Sequence, residues 1–324
     1  MGIKMHFIPF SAEQSRVLDD VMTVDRLHRS LLQREEGLGG GFQWKNVGGQ
    51  DYLTRFWTDP TTKKKQARSR GRRSPATEAE YGDFYAARES VAAERRSLGP
   101  RMADVSRAAR AFRLALVTQP VADVFRAFDR AGLWQACMLL GGCATHAYAV
   151  EARVRVEAEL ADIDLLVPDG LVSDVLPSIG GALRAARPDE AWHADGTALV
   201  GSSGLRIHVH DASEVLEAFI ATLPELDAIR AVSSALEGAP RAGFVVGRDG
   251  LAAPVATLDP TAHAVLKSAQ AVSLGSKHAR DAALVAVELA RLIERSTALA
   301  PATTLAGLDF DNHDRIRPLG RARS

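Results

Sequence analysis

The chain has little cysteine, no net charge and no long apolar run. Two cysteines in 324 residues, Cys137 and Cys143, are too few for a disulfide framework and suit a reducing, cytoplasmic setting. Forty Lys and Arg balance forty Asp and Glu. Global charge therefore points to neither nucleic acid nor an acidic partner, and only local clusters can. No stretch reaches the ~20 apolar residues of a membrane span, so no membrane role is expected. Met1–Phe10 lacks the apolar run and cleavage site of a signal peptide, and no internal repeat is visible. What remains, 46% apolar and 25% charged residues, is the make-up of a globular protein large enough for two or three domains.

Periodicity divides the chain into three regions. Residues 1–118 read as helix, hairpin, helix. Val17, Leu18, Val21, Val24, Leu27 and Leu31 recur at helical spacing. Phe42–Val47 and Gln50–Trp57 alternate around Gly48-Gly49, as in a hairpin. Thr61–Arg73 reads as a linker, with seven cations in the eleven residues from Lys63. It is either a solvated loop or a patch for RNA, DNA or polyphosphate. The aromatics Phe42, Trp44, Tyr52, Phe56 and Trp57 just before it either form the hairpin's core or stack on bases. A helix from Ser74-Pro75 is expected to stop at Gly99-Pro100, with another from Met102.

Residues 119–215 carry the chemistry. An amphipathic helix (Val121, Val124, Phe125, Phe128) precedes a short apolar strand, Ala136–Leu140. Gly141-Gly142 and a helix follow, then a strand Ala161–Pro168 containing Asp162 and Asp164. Residues two apart on a strand share a face, so the two carboxylates project together. Such a pair suits Mg²⁺, which takes one or two carboxylates plus substrate phosphates. Gly-Gly before a helix brings backbone N–H groups close to a phosphate. Leu171–Arg187 is expected to be a helix interrupted at Pro177 and Gly180-Gly181. Residues 216–324 read as mostly helical, with short strands at Gly243–Val246 and Val255–Leu258 and a loose basic tail from Asp309.

Leu140-Gly-Gly-Cys-Ala-Thr-His-Ala-Tyr148 followed by Ala161-Asp-Ile-Asp-Leu-Leu166 resembles the polymerase-β-like nucleotidyltransferase superfamily. Gly41–Leu53, Arg73–Glu78, Ser97–Arg101, Asp259–Lys267 and Lys277–Asp281 are similar to elements of one bacterial branch. The resemblance implies an α/β (α+β) fold: a small mixed-sheet core with an N-terminal helix–hairpin–helix and C-terminal helices. It also implies transfer of a nucleoside monophosphate from an NTP to a hydroxyl acceptor, with Mg²⁺ or Mn²⁺. Carried over by position, Asp162 and Asp164 become metal ligands and Gly141 and Gly142 phosphate contacts. Lys267 and Lys277 become nucleotide contacts. RNA or another phosphate-rich molecule is a possible acceptor.

Members of the superfamily usually place a third acid on a later strand. Here that strand is Arg206–Asp211, whose polar face carries His208 and His210. Three readings stay open. Asp211 substitutes as the third catalytic acid; His210 becomes a ligand and the metal differs; or the chain is a catalytically degenerate nucleotide- or nucleic-acid-binding regulator, as in a toxin–antitoxin or defence pair.

Overall fold

The computed structural model describes residues 7–59, 62–156, 162–223 and 226–297. The chain forms two compact units. One comprises residues 17–109; the other takes the residues up to Arg16 together with those from Arg110 onward. The N-terminal third runs β1 (Ile8–Pro9), α1 (Ala12–Gly37), β2 (Gly41–Val47), β3 (Gln50–Thr58), β4 (Lys65–Arg72) and α2 (Pro75–Ala111). Next come α3 (Gln119–Arg130), β5 (Met138–Leu140), α4 (Gly141–Glu151), β6 (Val154–Arg155), β7 (Asp162–Val167) and α5 (Val172–Ala186). Three strands follow: β8 (Trp192–Asp195), β9 (Ala198–Gly201) and β10 (Arg206–Asp211). The chain continues with α6 (Ala212–Thr222), α7 (Leu226–Glu237), β11 (Arg241–Val246), β12 (Ala252–Thr257), α8 (Pro260–Leu274) and α9 (Lys277–Thr297).

In the unit of residues 17–109, the expected hairpin is present. Gly48 and Gly49 both take positive φ (60° and 80°), which a tight two-residue turn requires. The basic segment behind it is not a linker. Lys65–Arg72 forms β4, which pairs antiparallel with β3 and completes a three-stranded sheet. Part of its charge is neutralised on the spot: Arg70 pairs with Glu80, and Arg73 with Glu78 and Asp51. Thr61, the first residue of that segment, lies outside the described residues. The aromatics of the hairpin pack in part on α2, Phe42 edge-on to Phe84 and Trp44 near Tyr81.

The helix break expected at Gly99-Pro100 does not occur. α2 runs unbroken to Ala111. Pro100 is exposed and costs the helix one hydrogen bond. Val91 and Leu98 before it, with Met102 and Val105 after it, bury against Val24 and Leu31 of α1. Hydrophobic burial along the whole length outweighs that local penalty. α5 repeats the lesson: it is continuous through Pro177 and both glycines because Val175, Ile179, Ala182 and Leu183 form one buried stripe.

The larger unit is an α/β layer structure around a seven-stranded mixed sheet, ordered β11-β12-β5-β7-β10-β9-β8. The strands at 241–257 thus extend the same sheet that carries the carboxylates. β7 lies antiparallel to β5 and parallel to β10. One face is covered by α3, α4, α5 and α9: Ile163, Leu165 and Val167 of β7 pack there with Phe125, Tyr148, Ile179 and Leu289. The other face is covered by α6, α7 and α8, where Leu166 packs with Phe219, Val232 and Val265. Period-two alternation puts Asp162 and Asp164 on this second face. The basic tail from Asp309 and residue Ala161 lie outside the described residues.

Candidate active site

The site forms where β5 hands over to α4. Leu140 pairs with Asp164 across the β5–β7 ladder, and the next residue, Gly141, starts α4 with a φ of 66°. A Cβ on Gly141 would land against Oδ2 of Asp164, so only glycine both adopts this φ and leaves room for the carboxylate. No side chain caps α4; its N-cap residue is Leu140. The first N–H groups of a helix have no acceptor within it, and the helix dipole adds positive character there. Gly142 follows in that first turn.

β10 runs alongside β7 and presents His208 and His210 on the same face. Nε2 of His208 lies 3.5 Å from Oδ2 of Asp162, and Nε2 of His210 lies 3.3 Å from Oδ1 of Asp164. The two imidazoles are nearly parallel, 6.2 Å apart. Burial pushes the Asp164 carboxyl up. The hydrogen bond from His210, with the charges of His210, Lys267 and His208, outweighs burial and holds the group below its ordinary value. Asp164 is thus a stable anion facing a cavity.

That cavity, about 350 Å³, lies between the sheet and helices α6 and α8. Gly141, Asp164, His210 and Lys267 line one side; Phe219, Leu266, Thr222, Gln270 and Ser273 line the rest. α8 is built to deliver Lys267. Asp259 caps it by accepting hydrogen bonds from the N–H groups of Thr261 and Ala262, and Pro260 occupies its first turn. His263 and Lys267, one turn apart, then both face the cavity. Nζ of Lys267 donates to Oε1 of Gln270 at 3.0 Å. Burial lowers the Lys267 ammonium below its usual value, with Asp164 opposing. His263 is fully buried against Tyr148, and burial drives it down to about 3. It is a neutral wall of the site, within 3.4 Å of the Thr145 hydroxyl.

The structure does not bring every expected residue here. Asp211 sits at the end of β10, on the face opposite His210, and is buried. Its carboxylate accepts hydrogen bonds from the N–H of Gly170 (2.7 Å) and from the N–H and hydroxyl of Ser213 (3.0 and 2.6 Å). Those bonds hold it below its ordinary value. It is the N-cap of α6, and this geometry leaves it no reach to the carboxylate pair. Lys277 stands exposed at the first residue of α9, away from the lining of the cavity. Cys143 is buried behind the pair, and burial together with the charges of Asp164 and Asp162 raises its thiol to about 12; it is no nucleophile. Phe219, Thr222 and Gln270 carried no signal of their own. For His263 the signal was its i, i+4 spacing to Lys267.

The donor set matches a hard divalent cation bound jointly with a substrate. Two carboxylate oxygens share one face, with space kept clear beside Asp164 by the missing Cβ of Gly141. Among the described residues no three His, Cys, Asp or Glu converge into a ready-made metal cage, so phosphates and water would complete the shell.

Over residues 119–305, more than half its length, the chain matches the family model described as Nucleotidyltransferase. The chain belongs to the nucleotidyltransferase family. The matched span contains the carboxylate pair, the Gly-Gly turn, both histidines and Lys267. No curated protein and no solved structure matches the chain. Among the described residues of this nucleotidyltransferase no helix is long and apolar enough to cross a membrane.

Proposed function

We propose that this nucleotidyltransferase is a metal-dependent enzyme of the polymerase-β-like superfamily, of its bacterial branch, acting in the cytoplasm. It transfers a nucleoside monophosphate from an NTP to a hydroxyl and releases pyrophosphate. One observation carries the reading: Asp162 and Asp164 share a face beside Gly141 at an uncapped helix start, and Asp164 opens with Lys267 into a cavity. Asp162 and Asp164 would hold Mg²⁺ or Mn²⁺, with His210 beside them. Bound there, the cation supplies Lewis-acid stabilisation of charge on the phosphates.

The chain's own residues do the rest. The N–H groups of Gly141 and Gly142 receive phosphate oxygens, as helix starts do. Lys267 adds a positive charge from α8 and is fixed by Gln270. The apolar wall around Phe219 and Leu266 takes the nucleoside, and Thr222, Gln270 and Ser273 offer hydrogen bonds. Histidines at the place of a third acid favour a second reading, a nucleotide-binding protein without turnover; it takes up the same NTP.

Pyrophosphate release and nucleotide binding would be measured with each NTP, with and without Mg²⁺ or Mn²⁺, and with RNA among the acceptors offered. Metal-dependent release that disappears in the Asp162→Asn/Asp164→Asn variant supports the enzyme. Tight NTP binding with no release for any acceptor selects the second reading, and no NTP binding with either metal removes both.

A further inference from the structure

The two imidazoles beside the carboxylates have a consequence for which cation the site takes. Each carboxylate is matched with one ring nitrogen: His208 with Asp162 at 3.5 Å and His210 with Asp164 at 3.3 Å. All four side chains are half-buried and lie on one face of adjacent parallel strands. Neighbouring ligands of an octahedral cation with ~2.1 Å bonds stand about 3 Å apart. Each oxygen–nitrogen pair is only a few tenths of an ångström wider than one edge of a coordination shell, so a cation there would take the place of the proton that His210 shares with Asp164. The His210–Asp164 edge borders the cavity that also contains Gly141 and Lys267. Asp211, the remaining oxygen donor on β10, is committed to Gly170 and Ser213.

Building on the metal-dependent reading above, we propose that His210 is a direct ligand together with Asp164, and that this nitrogen makes the site prefer Mn²⁺ over Mg²⁺. Carboxylate, carbonyl and water suit Mg²⁺ and Mn²⁺ alike, whereas imidazole suits transition ions, and of the two only Mn²⁺ is one. An all-oxygen site would show a smaller bias. His208, paired with Asp162 farther from the cavity, supports the second edge.

The test is pulsed electron paramagnetic resonance on the full chain loaded with Mn²⁺ and a non-hydrolysable NTP analogue, alongside calorimetric titration of Mn²⁺ and Mg²⁺. The expected result is ¹⁴N coupling to the bound Mn²⁺, lost in His210→Asp and kept in His208→Gln. His210→Asp should also shrink the Mn²⁺-over-Mg²⁺ preference, read as the ratio of the two dissociation constants, and its half-exposed position makes it tolerant of the change. Mn²⁺ bound at this site without ¹⁴N coupling, or equal preference in wild type and His210→Asp, overturns the inference and leaves the metal-dependent reading standing. No binding of either ion, with or without the analogue, overturns that reading as well.

Discussion

The two faces of β10 use similar chemistry for opposite purposes. On one face, His208 and His210 hold the carboxylates of the neighbouring strand and leave Asp164 open to a cavity. At its last residue, Asp211 is itself the held carboxylate, buried and saturated by Gly170 and Ser213. Hydrogen bonding keeps both Asp164 and Asp211 anionic, yet only Asp164 keeps a free side. A low carboxyl pKa therefore does not distinguish a site from a cap; the direction in which the remaining lone pairs point does.

That contrast is sharpest under substitution. Replacing Asp162 and Asp164 by Asn should cost metal-dependent turnover on the order of 10²–10³-fold or more, with the far-ultraviolet circular dichroism unchanged. Gly141→Ala comes next. Its methyl group would strike the Asp164 carboxylate in a backbone conformation that alanine resists, so NTP affinity, read by calorimetry, should fall together with stability.

The pH dependence separates the groups further. His263 has an ordinary value of 6.5 and sits at about 3 in the fold, so between those values the unfolded chain takes up a proton that the folded chain refuses. Stability therefore falls as pH drops through that window, by up to about 1.4 kcal/mol per pH unit. His263→Phe should flatten this limb in urea titrations between pH 6.5 and 4. It keeps an aromatic ring against Tyr148, and the Thr145 hydroxyl still donates to the carbonyl of Gly141. The smallest effect on activity is expected from Asp211→Ala. The melting temperature should drop at neutral pH, while Mn²⁺ binding and turnover stay at wild-type level. The sign is fixed by the lowered carboxyl: its contribution is full above the ordinary value of 3.8 and is lost as pH falls through the folded value, so wild type and variant should converge in acid. Loss of metal binding in Asp211→Ala would erase the contrast between the two faces of β10.

Much of the core could be read from the chain itself. Period-two alternation set Asp162 and Asp164 on one face, and Gly141-Gly142 marked the turn into α4. The resemblance of Asp259–Lys267 to a family element singled out Lys267, which the structure places on the cavity wall. Local rules failed where tertiary burial overrode them, at Pro100 in α2 and Pro177 in α5. They also failed at Lys65–Arg72, where charge suggested a loop and neighbouring acids allowed a strand. Asp211, one of three open readings for the third acid, was illegible for a different reason: only the fold shows that α6 begins there and claims its oxygens. The cavity wall around Phe219 and Gln270 needed α6 and α8 to be brought together, a pairing that no spacing in the sequence encodes.

The most direct test is a crystal structure of the wild-type chain with Mn²⁺ and a non-hydrolysable NTP analogue, using the anomalous signal to locate the metal. The account predicts an anomalous peak at Asp162 and Asp164, with phosphate oxygens on the N–H groups of Gly141 and Gly142 and the nucleoside against Phe219. A nucleotide bound elsewhere, or one bound here with no metal at the carboxylate pair, would contradict it.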